Sequence, residues 1–175
     1  MLERFSWPPA GTELVLAAGG ELWIVDPAAD DGPGYRRVPT ALTEVQALAH
    51  SADGSQLIVT GPVAAGDERR VLVLDAATLD ALHDVPFASG GGRNVAAGFT
   101  KDDTWFWAAG AAPPCGCPAT LPGEGDVVKA WRLADGERVF GLANPRWLGA
   151  AAFSPDATRV VAGTLTGGLS LWVVP

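Results

Sequence analysis

Two cysteines, Cys115 and Cys117, are the residues of this chain best suited to chemistry, because a single glycine separates them and prolines flank them. Two thiolates at this spacing can share a soft metal ion or close a small, strained disulfide ring. A structural zinc site needs about four ligands, and the histidines His50 and His83 have no metal-ligand spacing to the pair. We therefore interpret the pair as free thiols in a proline-stiffened surface loop, with metal binding and redox activity as less favoured alternatives.

Catalytic and cofactor-binding signatures are missing from the sequence. It contains no Gly-x-Ser-x-Gly nucleophile elbow, no Gly-x-x-x-x-Gly-Lys phosphate loop and no His-Glu-x-x-His zinc motif. His50, Ser51 and Asp53 are the residue types of a hydrolytic triad, but they crowd one turn instead of converging from separate elements. We predict a protein that is not an enzyme and that binds no cofactor or metal.

The chain contains a sequence unit that occurs four times, and these units provide the framework for the cysteine pair and the histidines. Each unit has a polar turn followed by a short hydrophobic strand, and the turns lie at residues 8–12, 51–55, 100–104 and 154–158. Aligning the turns on Gly11, Gly54, Asp103 and Ala157 gives spacings of 43, 49 and 54 residues. A period of roughly 40–50 residues built from short strands predicts a β-propeller.

One domain over residues 1–175 is expected, with units at about 2–44, 45–94, 95–147 and 148–175. Within the ambiguous segment 76–87, residues 77–82 have helical residue preferences, but the repeat requires a turn and an outer strand near 82–87, and we follow the repeat. Asp135-Gly136 predicts a two-residue hairpin turn. Arg69-Arg70 is interpreted as protection of a strand edge.

The units resemble WD40-type β-propeller repeats. The best copy of the family's turn is Phe153-Ser154-Pro155-Asp156, and the third strands end in Val25-Asp26, Leu74-Asp75, Trp131-Arg132 and Trp172-Val173, where the family often has Trp-Asp. The resemblance covers nearly the whole chain, although no unit carries both Trp and Asp at this position. It implies an all-β, propeller-like array of about four blades of mainly four-stranded antiparallel sheets, with the last blade incomplete.

A non-catalytic protein-interaction scaffold is the function that this resemblance implies. Four blades in an unclosed arc would expose apolar blade faces, so we expect part of a larger propeller, pairing with a second copy, or a fragment of a longer protein. The alternative is a propeller-type hydrolase or oxidoreductase whose channel site another chain completes. Small apolar residues on the inner strands, as in 149–153, argue against it.

Family topology places the cysteine loop on the same ring face as the connections between blades. The candidate partner-binding residues on that face are Arg93, Asn94, Cys115, Cys117, Arg146 and Trp147. Arginine and tryptophan are enriched at interaction hot spots. The other tryptophans, among them Trp105 and Trp107 on one face of a strand, are interpreted as packing between blades.

Charge and hydropathy limit the partners that the chain can have. The net charge of −8 disfavours binding to nucleic acid and to anionic membranes. No hydrophobic run approaches the ~18 residues of a membrane helix, and the first residues lack a signal-peptide pattern. We expect a cytoplasmic protein whose partner is another protein or a second copy of itself.

Overall fold

The chain folds, in a computed structural model, into four antiparallel sheets, with no helix among the residues that the structure describes. The described residues are 4–9, 11, 13–28, 34–63, 68–87, 94–110, 126–143, 148–164 and 167–174. Within each sheet successive strands are neighbours, which is the meander of a propeller blade. The prediction of an all-β, propeller-like array is confirmed.

In the described parts of the chain fifteen strands form four blades; the first three blades have four strands each and the last has three. Blade 1 contains β1 (Arg4–Ser6), β2 (Leu14–Ala18), β3 (Glu21–Asp26) and β4 (Gly34–Pro39). Blade 2 contains β5 (Ala47–His50), β6 (Gln56–Pro62), β7 (Arg69–Asp75) and β8 (Ala81–Pro86). Blade 3 contains β9 (Asn94–Phe99), β10 (Trp105–Gly110), β11 (Asp126–Arg132) and β12 (Arg138–Ala143). Blade 4 contains β13 (Leu148–Phe153), β14 (Arg159–Thr164) and β15 (Leu169–Val173).

The first strands of the blades line up along the inside of the array. Among the described residues β1 contacts β5, β5 contacts β9, and β9 contacts β13, whereas no comparable contact joins β13 back to β1. The four blades therefore form an open array. We call the side of a blade that turns toward the preceding blade in the chain its upstream face, and the opposite side its downstream face.

Apolar cores between consecutive blades hold the array together. Side chains alternate between the two faces of a strand, so each blade has one set facing the preceding blade and one set facing the next. Ile24 on the downstream face of blade 1 and Leu57 on the upstream face of blade 2 share one core. Val73 of blade 2 and Phe106 of blade 3 share the next, and a third joins blade 3 to blade 4. Strands β6 and β7 are buried on both faces, which explains their continuous hydrophobic runs.

A repeated hydrogen-bonded turn joins the first and second strands of blades 2, 3 and 4. In blade 2 the Ser51 hydroxyl donates to the Asp53 carboxylate at 2.7 Å, and the Ser55 backbone N–H donates to the same oxygen at 2.9 Å. The equivalent aspartates, Asp102 and Asp156, accept the same pair of bonds. These bonds lower the pKa of each aspartate, that of Asp156 to about 2.

The aligned turn residues share a backbone conformation. Gly54, Asp103 and Ala157 have φ of 76°, 52° and 57°. Glycine adopts this left-handed region freely, but other L-residues do so at a cost. The repeat alignment made on these positions is thus confirmed by local geometry in three of the four turns.

The structure decides three local predictions. The segment 81–86 is the outer strand β8, so the repeat was the better guide and the helical preference of residues 77–82 is overridden. The connection between β11 and β12 spans residues 133–137, so the two-residue turn at Asp135-Gly136 was wrong. The backbone N–H of Gly136 donates to the Arg132 carbonyl, and that of Arg132 donates to the Glu137 carbonyl, which closes a wider turn.

The edge-protection interpretation of Arg69-Arg70 was also wrong. Both residues belong to β7, which lies between β6 and β8 and is not an edge strand. The Arg69 side chain is buried, whereas Arg70 pairs with Glu68 and Asp84 at 2.7 Å each. The described part of the chain also holds no helix long and apolar enough to span a membrane.

Candidate interaction surfaces

The end of each blade where the second strand turns into the third is called the loop face here. In blade 1 the connection to blade 2 packs on this turn: the Thr40 N–H donates to the Gly20 carbonyl at 2.8 Å, and the Val45 N–H donates to the Gly19 carbonyl at 2.7 Å. A Cβ on Gly20 would overlap the Leu42 carbonyl, so this close approach requires glycine. The loop face of blade 1 is therefore rigidly anchored.

The candidate partner-binding residues cannot be placed on this face from contacts. Arg93, Cys115, Cys117, Arg146 and Trp147 lie outside the described residues, and of Asn94 only the backbone is described, at the start of β9. Their role as a binding surface stays a prediction. Among the described residues no group of three or more His, Cys, Asp or Glu side chains is arranged to hold a metal ion.

A buried polar network, which the sequence did not reveal, lies at the loop-face end of blade 2. Arg69 Nη1 donates to Gln46 Oε1 at 2.6 Å, and Gln46 Nε2 donates to Glu44 Oε2 at 2.8 Å. Arg4 Nε donates to the Gln46 carbonyl at 2.7 Å and so links β1 to blade 2. The signal in the sequence was the position of Arg69, which lies two residues before the buried Val71 and therefore on the same face of β7.

A second buried cation lies at the joint between blades 2 and 3. Lys129 is 5% exposed, and its Nζ lies 5.2 Å from the ring centroid of Phe87. A cation at this distance from an aromatic face is stabilised by the ring quadrupole. Lys129 occupies the upstream face of β11 beside Trp131, so its ammonium group faces blade 2.

The opposite end of the blades, called the turn face, carries a groove between blades 1 and 2. The groove has a volume of about 380 Å³ and is lined by Pro8, Glu13, His50 and Asp53 among others. Hydrogen bonds from Ser55 and Ser51 lower the pKa of Asp53, so this carboxylate is charged at neutral pH. The groove offers one fixed carboxylate and a mainly apolar floor.

His50 in this groove contacts a serine, which is the geometry of a nucleophile and its base. Its Nδ1 lies 2.8 Å from Ser6 Oγ, and its backbone N–H donates to the same hydroxyl at 3.1 Å. Burial lowers the pKa of His50. Asp53, however, accepts hydrogen bonds from Ser51 and Ser55 of its own turn and does not orient His50. His50, Ser51 and Asp53 therefore form a turn and not a catalytic triad, and the Ser6–His50 pair joins β1 to β5.

The upstream face of blade 1 is an exposed aromatic surface. Phe5 is 72% exposed and Tyr35 is 60% exposed. Tyr35 stacks on Trp23 with ring centroids 5.5 Å apart, and the Arg37 guanidinium lies 4.8 Å from the Trp23 ring. Trp23 was interpreted as packing between blades, and this stays a prediction because no described blade covers its face. Trp131 and Trp107 do pack between blades.

The downstream face of blade 4 is an exposed aliphatic surface. Leu169, Leu171 and Val173 are 76%, 62% and 76% exposed and alternate along β15. Val161 of β14 is the cross-strand partner of Leu171. The two ends of the array thus expose most of the large hydrophobic side chains that the described structure leaves in solvent.

Comparisons with known proteins identify the fold. No protein-family model matches this chain, and no curated protein matches it. In solved structures 860 chains do match, so the architecture is widespread and does not by itself indicate one function. One of them belongs to the crystal structure of a mitotic checkpoint complex, with a TM-score of 0.75 and 16% identity, over 99% of this chain and 50% of that chain. The present chain therefore spans half the length of the chain that it matches.

Proposed function

We propose that this chain is a non-catalytic protein-interaction scaffold built of WD40-like repeats. The observation that supports this most is the exposure of apolar blade faces at both ends of the array. Leu171 is 62% exposed, whereas the residues at the same position in the other three blades are buried. Exposed apolar patches of this kind mark interaction surfaces.

The core between blades makes the array rigid enough to act as a scaffold. Phe87 and Phe106 have no exposed surface, and Phe106 stacks on Trp131 at 5.4 Å. Burial of each such side chain contributes about 1.5–3 kcal/mol. Loops on a rigid framework of this kind commonly carry binding residues.

The loop face is the second surface that we propose for partner binding. Arg93, Asn94, Cys115, Cys117, Arg146 and Trp147 are the proposed contact residues. The connection between blades 1 and 2 supports the proposal. Backbone hydrogen bonds hold it against the turn at Gly19 and Gly20, so a connection on this face can present side chains from a fixed backbone. The net charge of −8 favours a protein partner over nucleic acid or anionic lipid. We further propose that the chain is a single domain that works in the cytoplasm.

Affinity purification with quantitative mass spectrometry tests the loop face. The full chain and a triple variant, Arg93→Ala with Arg146→Ala and Trp147→Ala, serve as baits, and Lys101→Ala on the turn face is the matched control. We expect specific partners to fall at least about tenfold with the triple variant, as for loss of hot-spot residues worth about 1.4 kcal/mol or more. Retention of every partner by the triple variant would contradict the proposal.

A further inference from the structure

The exposed faces at the two ends of the array occupy the positions that form the cores between blades. Leu171 pairs across β14 and β15 with Val161, and its counterparts in blades 1, 2 and 3 are Ile24, Val73 and Ala130. These counterparts are 3%, 0% and 0% exposed, whereas Leu171 is 62% exposed. The downstream face of blade 4 is therefore a blade-joining surface without a described blade against it.

The upstream face of blade 1 shows the same relation. Phe5 is the cross-strand partner of Leu16, and its counterparts on the first strands of the other blades are Leu48, Ala97 and Ala151. Each counterpart packs against a core between blades. Phe5 is 72% exposed, so this face also lacks a described neighbour.

The two faces complement each other in side-chain size. Blade 1 presents the large rings of Phe5, Trp23 and Tyr35, whereas blade 4 presents the small residues Ala150 and Ala152 and the flexible aliphatic side chains of β15. Large residues opposite small ones are what lets two surfaces interdigitate at core density. The stacking of Trp23 on Tyr35 fixes the aromatic surface in advance, which lowers the entropy cost of binding.

We propose that a second copy of this chain covers both faces. The downstream face of blade 4 in one copy packs on the upstream face of blade 1 in the other, and a twofold axis repeats the joint, which closes a ring of eight blades. A second copy is the occupant because each chain supplies both halves of the joint, and the joint continues an interface that the chain already makes between its own blades. Eight blades lie within the usual range of propellers. This inference rests on the proposed scaffold function.

The mass of the full 175-residue chain in solution tests the ring, measured by light scattering after size exclusion. We expect a single species at twice 18.0 kDa. Phe5→Asp and Leu171→Asp place a charge on one face each and should each halve the mass. Leu82→Asp is the control, since Leu82 is 48% exposed on β8, away from both faces, and should leave the mass unchanged. Circular dichroism checks that the variants fold.

Mixing the two variants tests which faces meet. The Phe5→Asp copy keeps its blade 4 face and the Leu171→Asp copy keeps its blade 1 face, so an equimolar mixture should recover a two-chain species with one intact joint. We expect its dissociation constant to be at least about tenfold weaker than that of the unchanged chain.

Several outcomes would overturn the ring. They are a monomeric unchanged chain, a ladder of higher masses from a joint that does not close, a variant that keeps the two-chain mass, and variants that do not recover on mixing. A monomeric chain that still loses its partners through the loop-face variant would refute the ring and leave the scaffold function in place.

Discussion

Asp103 links two blades through a turn, and its removal should weaken the joint between them. Its carboxylate accepts the backbone N–H of Ala52 at 2.9 Å and that of Asp53 at 3.2 Å, both in the turn of the preceding blade. Asp103 itself adopts a φ of 52°. The residue is therefore held in a conformation that costs about 1 kcal/mol for a non-glycine residue.

Two substitutions separate the hydrogen bonds from the backbone strain. Asp103→Ala loses both bonds and keeps the strain. At about 0.5–1 kcal/mol for each partly exposed bond, it should lower the free energy of unfolding by about 1–2 kcal/mol. Asp103→Gly loses the same bonds but relieves the strain, so it should be about 1 kcal/mol more stable than the alanine variant.

Urea unfolding at equilibrium, followed by tryptophan fluorescence, measures both differences. In a chain of this length the alanine variant should also lower the Tm by roughly 2–8 °C. An alanine variant as stable as the unchanged chain would refute the role of the carboxylate as a link between blades. A glycine variant no more stable than the alanine variant would refute the strain.

Three further changes test other parts of the structure. Phe106→Ala should lower the free energy of unfolding by about 3–5 kcal/mol, because it leaves a cavity in the core between blades 2 and 3; a change below about 1 kcal/mol in urea unfolding would contradict that packing. Ser154→Ala removes the hydroxyl that donates to the Asp156 carboxylate, which is the main cause of its lowered pKa, so this pKa should rise from about 2 toward 3.8 in an NMR titration. The stability that the carboxylate confers is full above its unfolded-state pKa and is lost as the pH falls toward 2, so in the variant it should be lost at higher pH. Burial lowers the pKa of His50, so the unfolded chain binds this proton first and the protein should lose stability as the pH falls below 6.5, the ordinary pKa of histidine. His50→Gln should flatten this loss, and an unchanged pH profile would show that the ring beside Ser6 is not desolvated.

The pattern of the sequence predicted most of the strands because it is local. Alternating side chains and the spacing of the turns determine where β6 and β7 lie. The positions on which the turns were aligned also share a backbone conformation, since Gly54, Asp103 and Ala157 all have a positive φ. The helical preference of residues 77–82 was misleading. Residues 77–80 lie in the connection between β7 and β8, and from Ala81 on the chain pairs with β7, which outweighs a weak propensity.

The candidate site was less predictable, because burial depends on which blade lies opposite. Trp23 and Trp131 both lie on third strands, yet one is in an exposed aromatic surface and the other in a core between blades. Arg69 was read as an exposed edge residue, but it is 8% exposed and contacts Gln46. Neither outcome follows from the neighbours of these residues in sequence.

By itself, the sequence determined the repeat, the turns and the alternation of side chains within each blade, since these depend on backbone geometry over a few residues. Only the tertiary structure decided that Asp103 binds the preceding turn, that His50 contacts Ser6, and that the faces bearing Phe5 and Leu171 remain exposed. These contacts join residues about 44 to 51 positions apart, and the array that brings them together leaves its two end faces without a described neighbour.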